Sequence, residues 1–152
     1  MKVLVLHGPN LNLLGEREPS VYGTLTLAQI DERITARGRE LDAAVTIAQS
    51  NIEGTLIDRI QEARAWAGGV ILNAGGYSHT SVAIRDAVAS IPIPTVSVHL
   101  TNPAAREEFR RIDVIATASR GVVAGFGWRS YVIALEALVT LLRGDESSGV
   151  GL

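Results

Sequence analysis

The sequence predicts a single α/β domain built on a doubly wound parallel sheet, and three observations predict it. Strand-like and helix-like stretches alternate along the chain. The strand-like stretches are short, continuous apolar runs, as strands covered on both faces require. Asparagines, histidines and glycines follow the strands, at the end where open parallel sheets hold their ligands.

The elements follow in order. Lys2–Leu6 is a β-branched apolar run and reads as the first strand. Leu27, Ile30, Ile34 and Leu41 fall on one helical face, predicting a helix over Leu27–Leu41. Val45–Gln49 is the second strand. Ile52, Leu56, Ile57, Ile60 and Ala63 have helical spacing and place a helix over Ile52–Ala67. Val70–Leu72, running into Asn73, is the third strand. Ser81–Ser90 is helical and ends before Pro92 and Pro94. Thr95–His99 is the fourth strand, Pro103–Phe109 a short helix, Val122–Ala124 the fifth strand and Trp128–Arg143 the closing helix. That helix is apolar nearly all round and is expected to be buried on most sides, against the sheet and a neighbouring subunit. Right-handed crossovers between five such strands give a flavodoxin-like sheet over residues 1–143. Residues 144–152 (GDESSGVGL) read as a flexible tail. The stretch from Arg111 to Gly121 carries no readable pattern. Residues 8–23 form a connection far longer than the usual 2–6 or so residues, as lids and binding loops do.

Composition narrows the chemistry. The chain has 152 residues and a formal net charge of −2, so it lacks the basic surplus of a nucleic-acid binder. It has no cysteine, which removes thiolate nucleophiles, thiolate metal sites and disulfides. Its 14 basic residues are 13 arginines and Lys2, so neither a Schiff-base lysine nor a phosphate-loop lysine is at hand. No stretch reaches the roughly 20 apolar residues of a membrane span, and the opening run is shorter than a signal peptide's apolar core. A cytoplasmic protein, binding neither membrane nor nucleic acid, is expected.

The polar groups after the strands are His7 and Asn10; Gln49, Ser50 and Asn51; Asn73, Gly75, Gly76, Tyr77, Ser78 and His79; His99, Thr101 and Asn102; and Gly125 and Gly127. All three histidines thus fall at one end of the sheet. They lack paired metal-ligand spacing and no carboxylate is expected to neighbour them closely, so no metal is expected. No G-x-S-x-G turn is present, and GFGWRS, late in the chain, is a weak match to a dinucleotide loop. Arg17 and Tyr22 share the long loop. A nearby guanidinium favours an ionised phenol, so this pair suits a general base; a packing or surface tyrosine is the alternative.

Four blocks, GPNLNLLGEREPSVYG, QSNIEGTLID, LNAGGYSHTSVAIRDAV and VHLTNPAAREEFR, resemble the type II 3-dehydroquinate dehydratases over about residues 2 to 142. The resemblance implies a flavodoxin-like domain assembled as trimers into a dodecamer. It implies cofactor-free loss of water from 3-dehydroquinate through an enolate, in the shikimate pathway of aromatic amino acid biosynthesis or in quinate catabolism. It further implies roles for particular residues. Tyr22 would be the base, Arg17 the lid arginine that favours its ionised form, Asn10 the group stabilising the enolate oxygen with a water, and His99 the acid for the leaving hydroxyl. Asn73, His79 and Arg110 would hold the ring hydroxyls. Leu100 and Thr101 would grip the carboxylate, and Asp86 would reach in from a neighbouring subunit.

The chain departs from that pattern at Ser97, where such proteins usually carry a glutamate. Residues 97 and 99 share a strand face, so the glutamate would orient His99. Ala104, Ile52 and Arg111–Ile112–Asp113 depart as well. The expectation is a dehydratase whose proton donor is less well supported than usual. Two rivals accompany it: a diverged binder of a related polyhydroxy cyclohexane carboxylate with weak or no turnover, and an assembly module with a vestigial cleft.

Overall fold

Alternate residues of the opening apolar run part into two cores. In the computed structural model, which describes residues 1–144, Val3 and Val5 of β1 (Lys2–His7) enter one core and Leu4 and Leu6 the other. Strand periodicity of two, with helices on both faces, explains why the run shows no polar alternation. β2 (Ala44–Gln49), β3 (Gly69–Asn73), β4 (Thr95–His99) and β5 (Gly121–Ala124) complete the sheet. Its order is β2-β1-β3-β4-β5 with every neighbouring pair parallel, the doubly wound flavodoxin-like arrangement.

α2 (Leu27–Glu40) and α5 (Arg129–Leu142) pack on the Val3/Val5 face through Ile30, Ile34, Leu135 and Leu138. α3 (Glu53–Ala63) and α4 (Val82–Ser90) pack on the other through Leu56, Ile60, Ile84 and Val88. Local chemistry starts two of these helices. Thr26 and Gln29 form a reciprocal capping box at α2, and the Ser81 hydroxyl accepts from the Ile84 N–H at 2.9 Å at α4. Each predicted strand and long helix is present, with shifted ends; α3 stops at Ala63 rather than Ala67.

One expectation needs correction, and two gain detail. Pro103–Phe109 is not one helix but two 3-10 turns, Pro103–Ala105 and Glu108–Arg110. Extended backbone at Arg106 (φ −104°, ψ −160°) separates them. α5 buries Tyr131, Ala134, Leu135, Leu138 and Val139, yet Ile133 and Leu141 remain more than a third exposed on the isolated chain. The long connection of residues 8–23 is also structured: a 3-10 turn, Leu11–Leu13, precedes a one-turn helix α1 (Pro19–Tyr22), and Leu11 and Leu14 anchor it in the first core. The predicted tail, beyond Gly144, lies outside the described residues.

Candidate active site

Register places the site. β1 and β3 align so that His7 lies opposite Asn73, and β4 ends in His99. The loops leaving β1 and β3 then meet closely: the Gly8 N–H donates to the Asn73 carbonyl at 2.7 Å, and a Cβ on Gly8 would stand 2.6 Å from the Ala74 backbone. Glycine is therefore required where the first loop begins. Asn51, after β2, steadies the same loop by accepting from the Asn10 N–H at 3.0 Å.

Over these strand ends lies a cleft lined by Asn10, Arg17, Tyr22, Asn73, His79, His99, Leu100, Thr101 and Arg110, together with Pro9, Leu11, Leu14, Gly75, Gly76, Pro103 and Arg106. Nine of the ten candidate residues thus share one hollow. Asp86 does not: it sits on exposed α4 surface and accepts from its neighbour Arg85 at 2.9 Å. His7 also lies outside the cleft, although it ends β1. It is fully buried beneath the floor, with Nε2 2.9 Å from Asp31 Oδ1 and Nδ1 2.7 Å from the Tyr131 hydroxyl. Burial pushes that hydroxyl far above the ordinary phenol range, so Tyr131 donates and His7 Nδ1 accepts. Nε2–H then donates to Asp31. These three groups satisfy one another and hold α2 and α5 to the sheet.

Tyr22 stands at the end of α1 between two guanidiniums. The Arg17 and Arg106 carbons lie 5.4 and 5.3 Å from its ring centre, and Arg106 Nη1 is 3.1 Å from its hydroxyl. Arg106 also reaches the Thr101 hydroxyl at 3.4 Å, so one side chain ties the first loop to the loop after β4. Sequence reasoning passed over Arg106. Its signal is present, an arginine within the REEFR block, but the helix predicted over Pro103–Phe109 places its backbone mid-helix. Glu107 accepts from Arg110 Nε at 2.8 Å and lies 3.6 Å from Arg106 Nε, steadying both.

The histidines of the cleft stack at 6.4 Å, nearly parallel at 16°. His79 Nδ1 lies 2.7 Å from the Ile112 carbonyl, which only accepts, so Nδ1 carries the hydrogen. His99 Nε2 lies 2.7 Å from Asp113 Oδ2. The expectation that His99 is less well supported than usual therefore overlooked a carboxylate partner. Ser97 is buried on the same strand and brings no carboxylate, but Asp113 brings one from the unpatterned stretch. The view that no carboxylate neighbours the histidines fails for the same reason: sequence distance is not spatial distance.

Three arginines line this cleft and, among the described residues, no acidic side chain does, although the chain carries a net −2. Two amides, two hydroxyls and two imidazoles complete its polar wall. Such a hollow suits a small, hydroxylated anion and holds a candidate base and acid together. Among the described residues, no group of three or more acidic, histidine or cysteine side chains is arranged to hold a metal ion, and no helix is long and apolar enough to cross a membrane.

Known proteins resemble this chain over nearly its whole length. The dehydroquinase class II family model matches residues 1–139. A 3-dehydroquinate dehydratase of Nostoc sp. (strain PCC 7120) is 51% identical over 144 residues, covering 95% of this chain and 98% of its own. Another, from Rhizobium johnstonii, is 53% identical over 136 residues, covering 90% and 94%. The crystal structure of a type II dehydroquinase from Butyrivibrio crossotus superposes with a TM-score of 0.89 at 41% identity, covering 91% of this chain and 97% of that one.

Proposed function

This chain belongs to the class II dehydroquinase family, and on that premise we propose that it converts 3-dehydroquinate to 3-dehydroshikimate by the following division of labour. Tyr22 removes a proton from the carbon beside the ketone. The electron pair moves onto the carbonyl oxygen as an enolate, and Asn10, acting with a water, stabilises that oxygen. The enolate then collapses, the carbon–oxygen bond to the ring hydroxyl breaks, and His99 gives the departing oxygen its proton. Arg17 and Arg106 flank Tyr22 and stabilise negative charge on its oxygen. Asn73, His79 and Arg110 hold the ring hydroxyls, and Leu100 and Thr101 take the carboxylate.

One observation carries the reading: Tyr22, between two guanidiniums, and His99, on a carboxylate, line the same arginine-rich cleft. None of these steps calls for a cofactor. The subunits assemble as trimers into a dodecamer in the cytoplasm, with Asp86 completing a neighbour's cleft; its place on exposed α4 surface, outside its own cleft, supports that role. Mass measurement in solution tests the assembly. The activity is tested by incubating the protein with 3-dehydroquinate and following the ultraviolet absorbance of the conjugated product. Steady appearance of product supports the reading, and none at high enzyme concentration defeats it.

A further inference from the structure

We infer that Asp113 is the positioning residue of His99, and that the two-residue stretch Ile112–Asp113 gives the paired histidines of the cleft different proton roles. This deepens, and rests on, the dehydratase reading above.

The Asp113 carboxylate is held independently of the ring it meets. Its Oδ1 accepts from the backbone N–H groups of Ile115 at 3.1 Å and Ala116 at 2.9 Å. That leaves Oδ2 facing His99 Nε2 at 2.7 Å, with the two side chains only 15% and 9% exposed. Burial works to raise this carboxyl. The hydrogen bond from His99 and those from the backbone outweigh it, and the group lies below the usual carboxylate range. Asp113 is therefore an anion at neutral pH, and an anion only accepts. Nε2 must carry a hydrogen, and Nδ1 becomes the atom through which His99 exchanges a proton with the cleft.

The next residue up the chain treats the other ring differently. The neutral Ile112 carbonyl fixes the hydrogen of His79 on Nδ1 and leaves its Nε2 as an acceptor. Parallel rings 6.4 Å apart thus receive a charge in one case and a dipole in the other. A fixed anion complements the positive charge that a proton donor carries, whereas a carbonyl suits a ring that accepts from a substrate hydroxyl. The charged or titratable groups around the His99 ring are Asp113, His79 and, across the cleft, Tyr22, Arg17, Arg106 and Arg110. Asp113 is the only carboxylate among them, within the described residues.

Asp113 also accepts backbone N–H bonds where the turn at Ala116–Ala118 begins, so the test must separate positioning from loop integrity. Asp113→Asn does so. The amide oxygen keeps the two backbone N–H bonds, while its N–H₂ faces Nε2 and demands the opposite tautomer of His99. The expected result is a kcat lowered by about 100-fold or more, the scale of a positioned proton donor, with KM changed by less than about threefold. The isotope effect with substrate deuterated beside the ketone should shrink towards one, because loss of the hydroxyl becomes limiting. Asp113→Glu should recover much of the loss. A kcat within about twofold of wild type, or a fall with an unchanged isotope effect, overturns the proposal. Nitrogen-15 NMR of the unaltered protein tests it without any variant: His99 should be protonated at Nε2 and His79 at Nδ1, and a His99 hydrogen on Nδ1 alone refutes it. Absence of dehydratase activity in wild type would instead refute the functional reading, and the tautomer measurement would still decide the role of Asp113.

Discussion

Arg106 Nη1 lies 3.1 Å from the hydroxyl of Tyr22, a residue 84 positions earlier in the chain. The contact closes the first loop onto the loop after β4, because the same nitrogen reaches Thr101 at 3.4 Å. Arg17, on Tyr22's own loop, meets the ring from 5.4 Å but is not the group bonded to the hydroxyl. Arg106→Gln is therefore expected to lower kcat by about 10²-fold, the usual effect of losing one fixed donor at a developing charge. Steady-state kinetics against 3-dehydroquinate check this, and an unchanged kcat would return the whole task to Arg17.

Tyr22→Phe removes the oxygen and keeps the ring. Loss of a general base costs about 10²–10⁴-fold in rate, whereas packing of Tyr22 against the first core is retained. Turnover should collapse while binding of a non-reacting ring carboxylate, followed by calorimetry, changes little. Near-normal turnover would mean that another group is the base.

Ser97→Glu restores the carboxylate that the resemblance leads one to expect beside His99. With Asp113 at 2.7 Å, His99 already has a carboxylate partner. Ser97 is 1% exposed, so a glutamate there would bring a second buried anion towards the same ring. The expected outcome is lower stability in urea with no gain in kcat. A rise in kcat would show that Asp113 alone supports His99 poorly.

The depressed Asp113 carboxyl also predicts how stability depends on pH. Its folded value lies below that of the unfolded chain, so its contribution is complete above about pH 4, the ordinary aspartate value, and fades as pH falls through the folded value. The urea midpoints of wild type and Asp113→Asn should differ most at neutral pH and converge in acid. A gap that widens on acidification would contradict the assignment.

Tyr131→Phe strips the donor from His7 Nδ1 within a fully buried group. Leaving such an acceptor without a partner costs about 1–3 kcal/mol. Urea unfolding should register that loss as a lower midpoint, and an unchanged midpoint would contradict it.

Much of the site was readable because a parallel sheet gathers the residues after its strands at one end. Asn73, His79, His99 and Thr101 needed only the strand assignments. The length of the first connection marked Arg17 and Tyr22. Arg106 was missed because helical spacing around Pro103–Phe109 hid an extended residue between two short turns. His7 followed the rule for strand ends but turned out to belong to the core, since Tyr131 and Asp31 wait for it on α5 and α2.

Periodicity and glycine placement, read from the amino acids alone, determine the five strands, their helices and the edge of the sheet that does chemistry, because these depend on contacts between residues near in sequence and on burial of one face or both. The partners of the reacting groups were decided only by the folded chain. Arg106 meets Tyr22, and Asp113 meets His99, along irregular backbone whose course is set by single long-range bonds, such as the Val114 N–H to the Ser78 carbonyl at 2.9 Å and the Arg120 N–H to the Thr95 carbonyl at 2.7 Å. Bonds of that kind repeat with no period, so no pattern in the sequence announces them.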